Sequence, residues 1–313
     1  MKKLLVVFCG LLLIIYACTR DGDDTINNGP DIITIDSLKI NNNVLVIGID
    51  GLRSDVMQEE FSPFMYNLSQ SKNVYFNDTH IVEEYTWSGP NWSSILTGVH
   101  FDKHNVTDNS FDNDNYNTYP PFFHYIERAD SSINTVSLVN WTPINQHTLL
   151  NYTDFAPLES MNDLEVFENV ENILLNKNPM DGDVIFLQFD ELDGAGHSDG
   201  FSASSEEYTN TLTVIDTYVE NLFNIIEGKR SEGEDWLYII VSDHGGEGTS
   251  HSDTQHPDVN QTIFFTQHPS LQLQANCCYV SSQVDIAPTV LGFLGISSSN
   301  FNFNKDGFSI IVE

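Results

Sequence analysis

The chain has 313 residues, 40% of them hydrophobic and 12% aromatic, which is enough for a large core and too apolar for a disordered protein. Its 45 acidic and 12 basic residues leave a formal charge of −33, which repels a nucleic acid backbone and argues against docked DNA or RNA. A small anionic substrate stays compatible with that charge if metal ions reverse the local sign.

The first segment reads as a processing signal. Lys2 and Lys3 supply a positive start, and Leu4 to Ile15 is an apolar stretch too short for a comfortable membrane span. It ends at Ile15-Tyr16-Ala17-Cys18, which resembles the lipobox of a bacterial lipoprotein. Residues 1–18 are therefore expected to be a lipoprotein signal peptide, with an acyl group on Cys18 as the sole membrane contact. That implies an exported protein of the bacterial cell envelope, in the periplasm or on the outer-membrane surface. An ordinary cleaved signal with Cys18 as a bystander is the alternative. Losing Lys2 and Lys3 moves the formal charge from −33 to −35. Residues 19–42 are polar and rich in Asp and Asn, with Gly22, Gly29 and Pro30, and read as a flexible tether. Residues 43–313 are expected to form a single domain. With Cys9 and Cys18 in the signal, only the adjacent Cys277 and Cys278 remain, and neighbours rarely bridge, so no disulfide framework is expected.

Within the domain, Val44–Ile49, Val184–Phe189 and Trp236–Val241 are short, nearly continuous apolar runs, as expected of strands covered on both faces. Val136–Val139 and Thr262–Phe265 are further strand candidates. Apolar residues at three- and four-residue spacing predict helices over Phe61–Gln70, Pro121–Arg128, Leu164–Leu175 and Glu206–Ile226. Asp285–Leu294 is expected to be a helix capped by Asp285, with Pro288 in its first turn. The alternation predicts an α/β protein, a three-layer α/β/α sandwich around a largely parallel sheet. All three buried runs end in or beside an aspartate: Asp50, Asp190 and Asp243. Ligands of open α/β sheets bind beyond the carboxyl ends of the strands, so these acids can converge in space.

Four constellations carry chemistry. Asp50-Gly51 closes the first apolar run, and Asp50 reads equally as a metal carboxylate or a turn aspartate. In Thr86-Trp87-Ser88-Gly89-Pro90-Asn91-Trp92, followed by Gly98, Pro90 and Gly98 mark the start and end of a helix. Ser88 then sits at its N-terminus, where free N–H groups favour an alkoxide or an anion, although a plain cap is the commoner job. Asp193 and His197 are four apart with small residues between, a spacing that suits one cation better than Asp190 or Glu191 would. Ser242-Asp243-His244-Gly245-Gly246 follows the third run, with His251 and His256 in the loop beyond. Asp50, Asp193, His197, Asp243, His244 and His251 are too many ligands for one tetrahedral ion. Carboxylate mixed with imidazole suits two divalent ions, Zn²⁺ first and Mn²⁺ as the alternative, about 4 Å apart.

These four segments, in this order, resemble the alkaline phosphatase superfamily, and most closely its type I phosphodiesterase/nucleotide pyrophosphatase branch. The resemblance runs from about Val44 to Gly307 and includes Gln283 to Leu291 and Asp306-Gly307. Carried over by position, it implies one metal on Asp193, His197 and His251, and another on Asp50, Asp243, His244 and the Ser88 oxygen. Ser88, two residues before the proline, would be the nucleophile. Asn91 would help hold a non-bridging oxygen, and His104 would contact substrate. The implied reaction forms a phosphoserine that water then hydrolyses. Serine stands where many relatives carry threonine, and His104-Asn105 stands where His-Gly is typical. His100 to Tyr119, rich in Asn, Asp and aromatics, is the candidate specificity segment.

The expectation is thus a metal-dependent phosphodiesterase or nucleotide pyrophosphatase acting on a small anionic ester. A sulfatase competes through Ser88-Gly89-Pro90, but Trp92 occupies the place of the arginine such sites carry. A phosphomonoesterase competes as well, but basic residues are scarce near the motifs, Arg53 and Lys103 being nearest. A non-catalytic surface lipoprotein would be expected to have lost a ligand, and none is missing.

Overall fold

A computed structural model describes residues 41–176, 182–274, 279–297 and 305–312. The expected signal peptide with Cys9 and Cys18, all but the last two residues of the expected tether, and Cys277-Cys278 lie outside the described residues.

In chain order the elements are β1 (Asn42–Ile49), α1 (Pro63–Ser69), β2 (Val74–Ile81), α2 (Ser88–Thr97), α3 (Phe101–His104), α4 (Phe122–Ala129) and β3 (Thr135–Val139). There follow α5 (Asp163–Leu174), β4 (Val184–Phe189), α6 (Glu191–Asp199), α7 (Glu206–Ser231), β5 (Asp235–Val241), α8 (Pro257–Asn260), β6 (Gln261–Gln267) and α9 (Ile286–Phe293). Among the described residues the strands form one six-stranded sheet in the order β2-β6-β5-β1-β4-β3. β1 pairs in parallel with β4 and β5, and β3 in parallel with β4, whereas β6 runs antiparallel to both its neighbours.

Strand alternation divides the core in two. Leu45, Ile47 and Ile49 of β1 point to a layer built from α1, α5, α6 and α7, through residues such as Met65, Val166, Leu192 and Leu212. Val44 and Val46 point to the opposite layer, where Trp92, Ile95 and Leu96 of α2 pack with Phe122 of α4 and Val290 of α9. The three-layer α/β/α sandwich expected from the sequence is therefore present. Among the described residues no helix is long and apolar enough to cross a membrane.

The unpredicted elements have local causes. β2 escaped notice because Asn77-Asp78 interrupts its alternation, at a register shift where Asn77 Oδ1 accepts hydrogen bonds from the Thr79 N–H and hydroxyl. Helix α7 runs past its expected end at Ile226, through Gly228, to a last turn holding Lys229 and Arg230. Asp285 stands at the N-cap of α9 as expected, but its side chain makes no capping bond there. A 3₁₀ turn precedes that helix, and the Asp285 carboxylate instead accepts from the N–H groups of Ser282 and Phe308 and the hydroxyl of Tyr279.

One contact ties this framework to the strand ends. Trp92 is fully buried, and its indole lies across β1 where Gly48 leaves room: a Cβ there would sit 2.5 Å from the ring. The same indole N–H donates to Asp50 Oδ2 at 2.9 Å. Gly48→Ala should therefore cost about 1–3 kcal/mol, as overpacking does. Urea unfolding of the two proteins measures it, and an unchanged midpoint would show that the indole moves aside freely.

Candidate active site

β5, β1 and β4 are adjacent, and their parallel register aligns Ile49 with Phe189 and Gly48 with Val241. Asp50, Asp190 and Asp243 therefore emerge at one edge of the sheet. α6 starts directly after β4 and adds Asp193 and His197, four residues apart on one helical face, with Nε2 of His197 3.4 Å from Asp193 Oδ2. Gly196 on this helix and Gly246 after His244 leave room for one ring: Cβ atoms at either would lie 2.3 Å from Phe201. His251 returns from the loop after β5, its ring stacked on His244 with centroids 4.0 Å apart.

Two groups of ligand atoms result, each within 4.8 Å of one another: Asp193 with His197 and His251, and Asp50 with Asp193 and His244. Asp243 joins the second, its Oδ2 3.3 Å from His244 Nε2, and Asp50 Oδ1 is 3.4 Å from the same nitrogen. Asp193 thus belongs to both groups, between the two sets that the resemblance implied. His256 belongs to neither: its Nδ1 accepts from the Asp258 N–H.

The hydrogen bonds around this cluster leave the inward atoms bare. His197, His244 and His251 each direct Nδ1 at a backbone carbonyl, of Thr249, Gly245 and Thr86, at 2.9, 2.8 and 2.7 Å. Nδ1 therefore carries the proton, and each Nε2 presents a lone pair. Asp50 Oδ2 accepts from Trp92 and from Gln188 Nε2 at 3.0 Å, and Asp243 Oδ1 accepts from the Gly51 N–H at 3.2 Å. Asp50 Oδ1, Asp193 Oδ1 and Asp243 Oδ2 remain buried without a hydrogen-bond partner among the described residues. Orphaned carboxylate oxygens are costly in a protein interior. Three of them beside three imidazole lone pairs fit a pair of divalent ions.

The electrostatics agree. Burial, then the charges of Asp243 and Asp190, holds the Asp50 carboxyl well above its ordinary range. Burial, then Asp193, does the same to Asp243. Burial, then Asp50 and Asp190, pushes Asp193 up to about 9. Burial lowers His244 far below its usual value, and lowers His251 to about 4 with help from His197.

Ser88 is the first residue of α2 rather than its cap. Trp87 holds the N-cap position, the Ser88 side chain makes no capping bond, and its Oγ lies 3.5 Å from His244 Nε2. Two expectations need correction. Asn91 is fully buried and its amide is spent on the loop before the helix: Oδ1 accepts from Glu83 N–H, and Nδ2 donates to the carbonyls of Tyr85 and Trp87. It holds Ser88's approach in shape and presents nothing to a substrate. His104 is also fully buried, hydrogen-bonded to Ser94 Oγ and to the Val106 N–H, and does not line the pocket. Asn109, not Asn91, lines the pocket with Ser88, Asp193, His197 and His251; its Oδ1 accepts the Gly89 N–H, and its Nδ2 has no hydrogen-bond partner among the described residues. Asn109 falls within His100 to Tyr119, in a run of turn residues where no single side chain stands out. Gln188 was also missed, although an amide inside the apolar run of β4 was a usable signal.

An α/β/α sandwich with paired acid–imidazole clusters at its strand ends is the architecture of the alkaline phosphatase superfamily. A family model for type I phosphodiesterase/nucleotide pyrophosphatase matches residues 44–268, and the chain belongs to that family. It is 23% identical over 303 residues to ectonucleotide pyrophosphatase/phosphodiesterase 2 of Saccharomyces cerevisiae, covering 83% of this chain and 60% of that one. The chain thus spans less than two thirds of that relative's length. Among solved structures it is similar to murine ectonucleotide pyrophosphatase/phosphodiesterase 5, an inactive variant with AMP, at a TM-score of 0.62 and 14% identity over 82% of this chain and 96% of that one. A candidate sulfatase from Bacteroides thetaiotaomicron gives a TM-score of 0.66 at 14% identity, over 86% of this chain and 74% of that one. At such identities these two likenesses concern the fold alone.

The raised carboxyls set a pH dependence for metal-free protein. Burial keeps His244 and His251 neutral in the folded state above pH 7. The folded state still holds a proton on Asp193 up to about 9, whereas the unfolded chain released it near 3.8. The stability this proton confers is full below the unfolded value and is lost as pH rises through the folded one. Thermal unfolding of chelator-treated protein should therefore drop between about pH 7 and 9, and added Zn²⁺ should raise it by more at the upper end. Parallel curves with and without Zn²⁺ would rule the cluster out as a metal site.

Proposed function

We propose that the protein is a metal-dependent phosphodiesterase that uses Ser88 as nucleophile. The observation that carries this reading is the set of three unpartnered carboxylate oxygens and three imidazole nitrogens converging beside Ser88 Oγ. One ion would be held by Asp193, His197 and His251, and the other by Asp50, Asp243, His244 and Ser88, with Asp193 between them. Zn²⁺ suits this donor set best, and Mn²⁺ is the alternative. Bound there, such ions supply positive charge to the phosphoryl oxygens and favour the deprotonated serine.

The chain's own groups have distinct tasks. The start of α2 places Ser88 where the helix dipole and free amides stabilise negative charge. The unbonded Asn109 Nδ2 is positioned to donate to a non-bridging oxygen. Ser88 Oγ forms a bond to phosphorus while the ester bond to the leaving alcohol breaks, and the alcohol departs with a proton. Water then attacks the phosphoserine, phosphorus passes to the water oxygen, and Ser88 regains its proton.

Charge favours a diester. The lining of this pocket contains no lysine or arginine to meet a second phosphate charge. Arg53 is committed elsewhere, to Asp55, Asp258 and the carbonyls of Phe201 and Gly246. Lys103 pairs with Asp306. The sulfatase alternative loses support from Trp92, which is locked in the core. The other proposed properties are a small anionic ester as sole partner, no nucleic acid docking, a single catalytic domain, and attachment to the cell envelope through Cys18.

Ser88→Ala should abolish hydrolysis of bis(4-nitrophenyl) phosphate, by at least about a thousandfold, while leaving metal content nearly intact. His197→Ala should reduce the metal measured by elemental analysis. Full activity in Ser88→Ala would refute the nucleophile, and faster turnover of an aryl sulfate with a formylglycine at Ser88 would transfer the protein to the sulfatases.

A further inference from the structure

Of the three carboxylates in the cluster, Asp50 alone has one oxygen filled by two donors. Asp50, Trp92 and Gln188 are all fully buried. Trp92 Nε1 and Gln188 Nε2 both donate to Asp50 Oδ2, at 2.9 and 3.0 Å. A carboxylate oxygen offers two lone pairs, and both are taken here. Asp243 Oδ1 receives one donor, the Gly51 N–H, and Asp193 Oδ1 receives none among the described residues. Neither donor at Asp50 is free to turn away. The Trp141 backbone N–H can only donate, and it meets Gln188 Oε1 at 2.9 Å, so the amide nitrogen must face Asp50 and Asp190. The Trp92 ring is held against Gly48 on one side and meets Phe186 edge-on, centroids 5.8 Å apart. Trp92 also stands four residues after Ser88 on α2, so its bond ties the helix that carries the serine to this acid.

We propose that Trp92 and Gln188 set the metal specificity of the inner group, Asp50, Asp243 and His244. By filling Oδ2 they leave Oδ1 as the one atom Asp50 offers to a cation, which selects the small donor shell of Zn²⁺ over the larger oxygen shells of Mn²⁺ and Ca²⁺. This rests on the metal-dependent reading above and is independent of which ester is cleaved. Zn²⁺ is satisfied by about four donors, imidazole among them. Ca²⁺ takes about six to eight oxygens, often from carboxylates that bind through both, and Mn²⁺ suits an octahedral oxygen shell. A carboxylate barred from giving its second oxygen therefore costs the larger shells more than the small one. Donors that merely aimed the carboxylate would strengthen all three ions alike, whereas donors that occupy Oδ2 discriminate among them.

The test reads metal binding and needs no substrate. Full-length protein, stripped with chelator, is titrated with Zn²⁺ and with Mn²⁺ in metal buffers, and the bound ion is measured by elemental analysis. Wild type is compared with Gln188→Met, which keeps the length of the side chain without its donor, and with Trp92→Phe, which keeps an aromatic ring without the indole N–H. The ratio of Zn²⁺ to Mn²⁺ affinity should fall about tenfold in each variant. Repeating the comparison in a His197→Ala background confines it to the ion of the inner group. An unchanged ratio, whether or not both affinities fall, overturns the proposal and leaves the two residues as structural supports, while the metal-dependent reading stands. Wild-type protein that binds neither ion overturns that reading itself. Trp92 is deep in the core, so if Trp92→Phe does not fold, the ratio in Gln188→Met decides alone.

Discussion

Three carboxylates held within a few ångströms of one another, buried and accompanied only by imidazoles that burial keeps neutral, are the constraint around which this fold is arranged. Each carries an oxygen with no hydrogen-bond donor. Left alone, the cluster opposes folding, because burial and mutual repulsion both favour protons on groups that water would ionise. The protein tolerates this only by fixing the acids on its most rigid parts. Asp50 and Asp243 follow two central strands, and Asp193 lies on the helix that leaves the third. The hydrogen bonds behind them go to the outward oxygens and to the Nδ1 atoms, so rigidity is obtained without satisfying the inward atoms.

That division explains why the framework was legible in the sequence and the pocket less so. A parallel strand buried on both faces must be apolar along its length, and an acid at its end interrupts that pattern visibly. β1, β4 and β5 therefore announce both themselves and Asp50, Asp190 and Asp243. The Asp193–His197 spacing survives because both residues sit on one helical face. Edge and loop structure leaves weaker traces. β2 pairs only at the margin and tolerates a polar interruption, so its alternation fails where Asn77 folds back on Thr79. Asn91 and Asn109 show the same limit at the site. Both are asparagines near the serine, and only the three-dimensional partners separate the one that braces the loop from the one that faces the cavity. His104 looked like a substrate contact because of its position in a motif, yet its bonds to Ser94 and Val106 make it a strut of the loop after α2.

The loops also constrain each other. Thr86 receives the Nδ1–H of His251 at its carbonyl and donates its hydroxyl to the His251 carbonyl. The segment that presents Ser88 and the segment that presents an imidazole are thus latched two bonds deep, across 165 residues of chain. A ligand and a nucleophile on separate loops would drift relative to each other, and catalysis by positioning degrades quickly with such drift. Thr86 supplies the restraint.

Gln188 completes the argument by joining the two halves of the pocket. Its amide nitrogen donates both to Asp50 Oδ2 and to Asp190 Oδ1, and its oxygen receives the Trp141 N–H. A polar side chain with zero exposure in the middle of an apolar strand is expensive unless every group is used, and here every group is used. The same amide sets the free oxygen of a metal-facing carboxylate and the aim of a carboxylate that no metal claims. The spacing of Asp50, Asp190 and the Trp141 backbone is thereby set by a residue of the central sheet rather than by a surface loop.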